Sequence, residues 1–176
     1  LGVDRAAPRR GLDLCTGSGV LAVTLAREAP GLTMLATDVS AKAAAVATAN
    51  VVRHGLVDRV TVQVGDLWSA AEGAFGLIVS NPPYIATGEL AGLDREVQQE
   101  PKLALDGGAD GLDFYRRIAE GLAVHLAPGG LIAVEHGFDQ GPAVAAILDG
   151  SGVTGPATTA LDLARRPRVT WAERPA

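Results

Sequence analysis

Hydrophobic and polar positions along the chain fall into short apolar runs separated by stretches with helical spacing. Gly11-Leu-Asp-Leu-Cys15 is a short apolar run bounded by glycines and predicts a buried strand. Thr16-Gly-Ser-Gly19 breaks it, Val20 to Glu28 has the apolar spacing of a helix, and Pro30-Gly31 stops that helix. Thr33 to Thr37 predicts a second strand ending at Asp38. Ser40 is placed to N-cap an Ala-rich helix reaching Arg53, with Gly55 as the residue just past its end. Val60–Val64 and Phe75–Val79 predict the third and fourth strands. A long polar stretch with little periodicity then runs from Asn81-Pro-Pro-Tyr84 to about Asp110. Leu112 to Leu126 is again helical and is closed by Pro128-Gly-Gly130. Leu131–Glu135 predicts a fifth strand and Pro142–Leu148 a further helix. The tail from Val153 to Trp171 predicts a weak strand, a loop and a last strand at Arg168 to Trp171. The first ten residues read as a loose lead-in.

Strands alternating with helices make βαβ units, hence an α/β, doubly wound and mostly parallel sheet covered on both faces. With no internal repeat and no linker, residues 1–176 read as one domain. A loop as long as the one after the fourth strand is uncommon in a compact domain and is usually functional. In doubly wound sheets ligands bind outside the carboxyl ends of the strands. Thr16–Gly19, Asp38, Asp66 and Asn81–Tyr84 are all expected at such ends, so four unusual segments converge on one rim.

Composition narrows this picture. Hydrophobic residues are 48% and aromatics only 4%, so the expected core is Ala, Val, Leu and Ile. No apolar run has the length of a membrane span and no signal-peptide pattern opens the chain, which gives the expectation of a soluble, cytoplasmic protein without membrane partners. The single cysteine, Cys15, excludes an internal disulfide and a multi-cysteine zinc site. His54, His125 and His136 are too far apart for metal-ligand spacing, so no metal is expected; His136, after the fifth strand, could lie near the site. A net charge of −5 counts against a nucleic-acid partner. The pairs Arg9-Arg10, Arg116-Arg117 and Arg165-Arg166 are scattered and read as solvated surface.

Gly17-Ser-Gly19 with Ala22 satisfies the G-x-G-x-x-G/A pattern, and Asp38 lies where a ribose-binding acid belongs. Glycines let the backbone approach a nucleotide-like ligand, but this pattern does not separate NAD from S-adenosylmethionine. The bland alternative is a strand-to-helix turn beside an exposed Asp. Asp66 could accept from an adenine amino group while Leu67 or Trp68 packs on the ring; the alternative is an Asx-turn with Trp68 at the edge of the core. Asn81-Pro82-Pro83-Tyr84 is the most specific signal. Two prolines fix the backbone and present the Asn81 side-chain oxygen and the Pro82 carbonyl as aimed acceptors, to each of which a planar NH2 group can donate one hydrogen. Tyr84 offers a flat face for stacking. Such a pair of acceptors favours pyramidalisation of an amide nitrogen and turns its lone pair toward an electrophile such as a sulfonium methyl. Cys15 reads as a small buried residue lining the cofactor turn.

On Leu12-Asp-Leu-Cys-Thr-Gly-Ser-Gly19, Asp38, Asp66 and Asn81-Pro-Pro-Tyr-Ile85, the chain resembles class I methyltransferases that modify planar NH2 groups. Glu96-Val97, Glu100-Pro101, Ala104-Leu105, Gly107-Gly108, Asp110-Gly-Leu112, Tyr115-Arg116 and Pro128-Gly-Gly130 make it similar to the protein-glutamine methyltransferases. Glu135-His136-Gly137, Gln140-Gly141, Asp162 and Arg168-Val169 resemble the release-factor branch. The resemblance implies a Rossmann-like fold, with a mostly parallel seven-stranded sheet and an antiparallel C-terminal strand. It also implies N5-methylation of the glutamine in the Gly-Gly-Gln loop of class I peptide chain release factors, with S-adenosyl-L-methionine as cofactor and S-adenosyl-L-homocysteine as product. By position, Cys15, Thr16, Gly17, Ser18 and Gly19 would wrap the methionine portion of the cofactor. Asp38 would hold the ribose, and Asp66 with Leu67 the adenine. Asn81 and Pro82, with Pro83 and Tyr84 beside them, would bind and act on the glutamine amide, Asn81 also bordering the cofactor. The family's N-terminal helical domain is not found in these residues, and the chain reads as the catalytic domain of a longer enzyme. The alternatives are a ribosomal protein's glutamine, adenine N6 in nucleic acid, an NAD-dependent oxidoreductase that would leave Asn81–Tyr84 unexplained, and a cofactor-binding module without activity.

Overall fold

A computed structural model describes residues 9–176, and side chains from Arg10 onward. Residues 1–8 of the expected lead-in lie outside the described residues. Arg9 and Arg10 are not lead-in, because the first strand, β1, spans Arg9–Leu14. Arg10 is also more than solvated surface: its guanidinium lies 4.4 Å from the centre of the Phe75 ring and donates to the Glu72 carbonyl.

The strands β1, β2 (Leu32–Asp38), β3 (Val60–Val64), β4 (Phe75–Ser80), β5 (Leu126–Glu135), β6 (Thr158–Leu161) and β7 (Pro167–Glu173) form one seven-stranded sheet in the order β3-β2-β1-β4-β5-β7-β6. The five strands β1 to β5 pair in parallel, and β7 runs antiparallel to both β5 and β6. This is the mostly parallel sheet with an antiparallel C-terminal strand that the sequence led us to expect. The strand order reverses at β1, which places a crevice beyond its carboxyl end.

Helix α1 (Val20–Glu28) follows the glycine turn, and α2 (Ala41–Arg53) is capped by Ser40, whose hydroxyl accepts from the Ala43 N–H at 3.3 Å. Gly55 adopts a left-handed φ of +66°, and the Leu56 N–H returns to the Val51 carbonyl, so α2 ends on the expected glycine. Helices α3 (Asp113–His125) and α4 (Gly141–Gly150) match the predicted spans to within a turn. One boundary differs in kind. β5 begins at Leu126 and runs through Pro128-Gly-Gly130, where its register against β4 shifts. Gly129 takes φ +68° and donates to the Arg174 carbonyl, so the two glycines make a bulge rather than a stop.

Apolar residues fill both faces of the sheet. Ala22, Val23, Ala26, Met34, Val51 and Val60 pack on the α1/α2 side; Leu12, Leu14, Ile78, Ile118, Leu122 and Leu148 pack on the α3/α4 side. The expectation of an aliphatic core needs one correction. The two largest fully buried side chains are Tyr115 and Phe75, both on the α3/α4 side. The polar stretch after β4 carries three short 3-10 turns, Thr87–Gly92, Val97–Gln99 and Lys102–Ala104, with an isolated bridge between Ile85 and Asp106. Among the described residues no helix is long and apolar enough to cross a membrane.

Candidate active site

The register of the sheet assembles the site. Leu14 pairs with Thr37 on one side and Ser80 on the other. The next residue on each strand is therefore Cys15, Asp38 and Asn81, side by side at one rim. Ser80 Oγ donates to the Leu14 carbonyl at 2.8 Å and locks β4 to β1 at this level. The Gly65 N–H donates to the Asp38 carbonyl at 2.9 Å, which sets Asp66 beside the same rim.

The chain reverses tightly after β1, with Cys15, Gly17 and Gly19 all at positive φ (57°, 56° and 82°). Gly19 is required by packing as well, since a Cβ there would sit 3.1 Å from Ala47 of α2. Gly17 faces open space. Its N–H donates to Asp38 Oδ2 at 2.9 Å, while the Ser40 N–H donates to Asp38 Oδ1 at 2.8 Å. The Asp38 carboxylate is thus held between the glycine turn and the start of α2. Asn50 donates to the Ser18 carbonyl at 2.9 Å and fastens the turn from the helix side. Thr16 is buried, Ser18 exposed, and Cys15 half-buried. Burial, with the nearby Asp38, pushes the Cys15 thiol up to about 12, so it is no nucleophile at neutral pH.

Asp13 was missed as an individual residue in the sequence. It is wholly buried, and its Oδ2 accepts from Thr16 Oγ1 at 2.5 Å and from the Ala22 N–H at 3.1 Å. One carboxylate therefore ties the end of β1 to the turn and to α1. Its Oδ1 has no partner among the described residues, and burial raises its pKa from 3.8 to about 7. The signal was present: a charged residue between two leucines of a buried strand must be compensated or functional.

Asp66 is exposed and paired with Arg117, whose Nη2 donates to Oδ2 at 2.7 Å; Leu67 beneath it is buried. Arg116 pairs with Asp110 and with Asp113, so the Arg116-Arg117 pair is engaged rather than free. Of the two readings of Trp68, packing on an adenine ring or a place at the edge of the core, its contacts match the second. It stacks on His125 with ring centres 4.8 Å apart, and its Nε1 donates to the Arg117 carbonyl.

Asn81 is exposed, Pro82 and Pro83 are buried, and Tyr84 is half-buried. Neither the Asn81 side chain nor the Pro82 carbonyl has a hydrogen-bond partner among the described residues, so both acceptors are unspent. By contrast, His136 lies on the β5–β7 seam rather than at this site. Its Nδ1 donates to the Gly137 carbonyl at 2.7 Å and its Nε2 lies 2.9 Å from Thr170 Oγ1. Arg168 pairs with Asp162 and donates to the His136 carbonyl. That group of residues locks the β6–β7 hairpin to β5.

A mostly parallel seven-stranded sheet whose order reverses at β1, with β7 antiparallel, is the Rossmann-like methyltransferase fold. A solved methyltransferase from Pyrococcus furiosus shares the fold, with a TM-score of 0.69 over 97% of this chain and 77% of that one at 16% identity. The chain belongs to the methyltransferase small domain family, whose pattern matches residues 3–102. It is 45% identical over 166 residues to the release factor glutamine methyltransferase of Cereibacter sphaeroides, covering 94% of this chain and 59% of that protein. It is also 49% identical over 128 residues to the ribosomal protein uL3 glutamine methyltransferase of Bradyrhizobium diazoefficiens, covering 72% of this chain and 40% of that protein. The chain thus spans only part of the relatives it matches.

Proposed function

We propose that this chain transfers a methyl group from S-adenosyl-L-methionine to a glutamine side-chain amide, and that its protein substrate is the Gly-Gly-Gln loop of class I peptide chain release factors. The observation that carries the chemistry is the pair of unspent acceptors, Asn81 Oδ1 and the Pro82 carbonyl, at the strand end next to the Asp38-clasped glycine turn.

The residues fit the cofactor. Gly17 leaves open space above a turn whose backbone is fixed, and the half-buried Asp38 carboxylate retains lone pairs for ribose hydroxyls. Asp38 and Asp66 place negative charge around Cys15, which favours a cationic sulfonium over the dianionic pyrophosphate of NAD. The bound cofactor supplies an electrophilic methyl group. Asn81 and Pro82 accept the two amide hydrogens, weaken conjugation of the nitrogen lone pair with its carbonyl, and aim that lone pair across the rim. Tyr84 packs against the planar amide. No strong base is required, because the nitrogen becomes acidic as its new bond forms, and orientation accounts for much of the acceleration. The flanking glycines of the substrate let a bare backbone approach a narrow site.

The choice of release factor over ribosomal protein rests on likeness to the release-factor relatives over nearly the whole chain. The ribosomal protein uL3 enzyme is the specific alternative, because its identity is as high over a shorter span. Asn81→Ala should abolish methyl transfer in a radiolabelled-methyl assay while calorimetry finds cofactor affinity retained. Wild-type turnover in this variant would remove Asn81 from the reaction.

A further inference from the structure

The segment that presents the two acceptors has little holding it from within. Pro82 and Pro83 have no N–H to donate, so the loop after β4 leaves the sheet without ladder bonds at those positions. Its next carbonyl, that of Tyr84, accepts from Gln140 Nε2 at 2.9 Å. The same amide reaches the Gly111 carbonyl at 3.3 Å, and its Oε1 accepts from the Gly137 N–H at 2.9 Å. A primary amide has two donor hydrogens and an acceptor oxygen, and Gly137 fixes which end is which. Gln140 sits at the start of α4. It thereby joins three segments that are distant in sequence: the loop after β4, the residues before α3, and the turn after β5.

The surroundings leave this clamp no slack. A Cβ on Gly111, which has φ +73°, would lie 2.4 Å from the Tyr84 oxygen and 2.7 Å from Gln140 Nε2. A Cβ on Gly107 would lie 2.8 Å from Tyr84 Cα. On its far side the loop is held by Ile85 N–H to Leu105 at 3.0 Å, Gly107 N–H to Ile85 at 2.8 Å and Thr87 N–H to Gly108 at 2.9 Å. With φ fixed at both prolines, a displacement at Tyr84 is passed back to the Pro82 carbonyl and Asn81 instead of being absorbed between them.

We infer that Gln140 is a positioning residue for methyl transfer: it holds the Tyr84 carbonyl so that Asn81 and Pro82 stay aimed at the substrate amide. This rests on the proposed role of those two acceptors. Gln140→Glu keeps size and shape but turns the oxygens of a carboxylate toward two carbonyls. Gln140→Met keeps length and removes all three bonds. Steady-state kinetics on a release factor and on a Gly-Gly-Gln peptide should show kcat reduced about 10–100-fold in both variants, the cost of a misplacement near 1 Å. Cofactor affinity by calorimetry should be unchanged. Relative to wild type, Gln140→Glu should recover part of its kcat at low pH, where a protonated carboxyl regains one donor, whereas Gln140→Met should not. Hydrogen exchange at the Ile85 and Thr87 amides should speed up in both variants. Unchanged kcat in both variants, or a loss of cofactor affinity as large as the loss in kcat, would overturn the positioning role. Unchanged exchange at Ile85 and Thr87 would overturn the clamp whatever the activity. A wild-type chain that methylates no glutamine would instead overturn the functional reading on which the role rests.

Discussion

Asp13→Asn turns the burial of one carboxyl into a measurable pH dependence. Asp13 is wholly buried, and burial lifts its pKa from 3.8 to about 7 against the opposing hydrogen bonds from Thr16 and Ala22. Below about pH 4 the group is neutral in both folded and unfolded chains, and it adds no pH dependence. Between about pH 4 and 7 the unfolded chain ionises while the native one keeps its proton, so the wild type loses stability as pH rises. Above about 7 the native carboxyl ionises too and the slope vanishes. At about 1.4 kcal/mol per tenfold change in proton affinity, the full displacement removes roughly 4 kcal/mol by neutral pH. Asparagine cannot ionise and so lacks this loss. Its NH2 would share the unpartnered environment that protonated Asp13 has at Oδ1, giving an offset that does not change with pH. Urea unfolding followed by tryptophan fluorescence, at intervals from pH 4.5 to 8, should therefore give two stability curves that diverge steadily to about pH 7, with the variant gaining. Parallel curves would refute the assignment of a buried, neutral carboxyl to this position.

Two other substitutions or probes address the turn. Asp38→Ala removes the acceptor offered to the ribose, together with the bonds from Gly17 and Ser40, and should weaken cofactor binding by about 10–100-fold, in line with about 1.5–3 kcal/mol for a charged hydrogen bond; unchanged affinity by calorimetry would count against the ribose role. Cys15, with its thiol pushed up to about 12, should resist Ellman's reagent at pH 8 in the native chain and react readily in urea. Rapid native labelling would show the thiolate to be accessible.

The elements and the rim were legible in sequence because periodicity and punctuation are local signals. The apolar runs, Ser40, Gly55 and the glycine turn fell where the structure has them, and counting strand ends was enough to bring Cys15, Asp38 and Asn81 together. What sequence could not supply was set by long-range partners. Pro128-Gly-Gly130 looks like a stop, but the Gly129 N–H donates to the Arg174 carbonyl and the Gly130 carbonyl accepts from the Arg174 N–H, just past a strand far along the chain. Arg117 looks like surface charge until the fold brings Asp66 to it. Gln140 belongs to the motif that resembles the release-factor enzymes, yet its bonds to Tyr84 and Gly111 come from distant segments and its role was not readable from the motif. His136 and Arg168 mark the resemblance to release-factor enzymes, yet in the fold they bind each other's strands rather than the candidate site. Motif membership alone did not reveal that division of labour.

The proposed reaction is methylation of a glutamine amide. Incubation with S-adenosyl-L-methionine and, in parallel, a class I release factor and ribosomal protein uL3, followed by peptide mass spectrometry, tests it directly. The expected result is a gain of one CH2 on the glutamine of the Gly-Gly-Gln loop, absent when Asn81→Ala replaces the wild type. Modification of the uL3 glutamine alone would move the substrate to the alternative, and transfer to neither protein would rule out the proposed reaction.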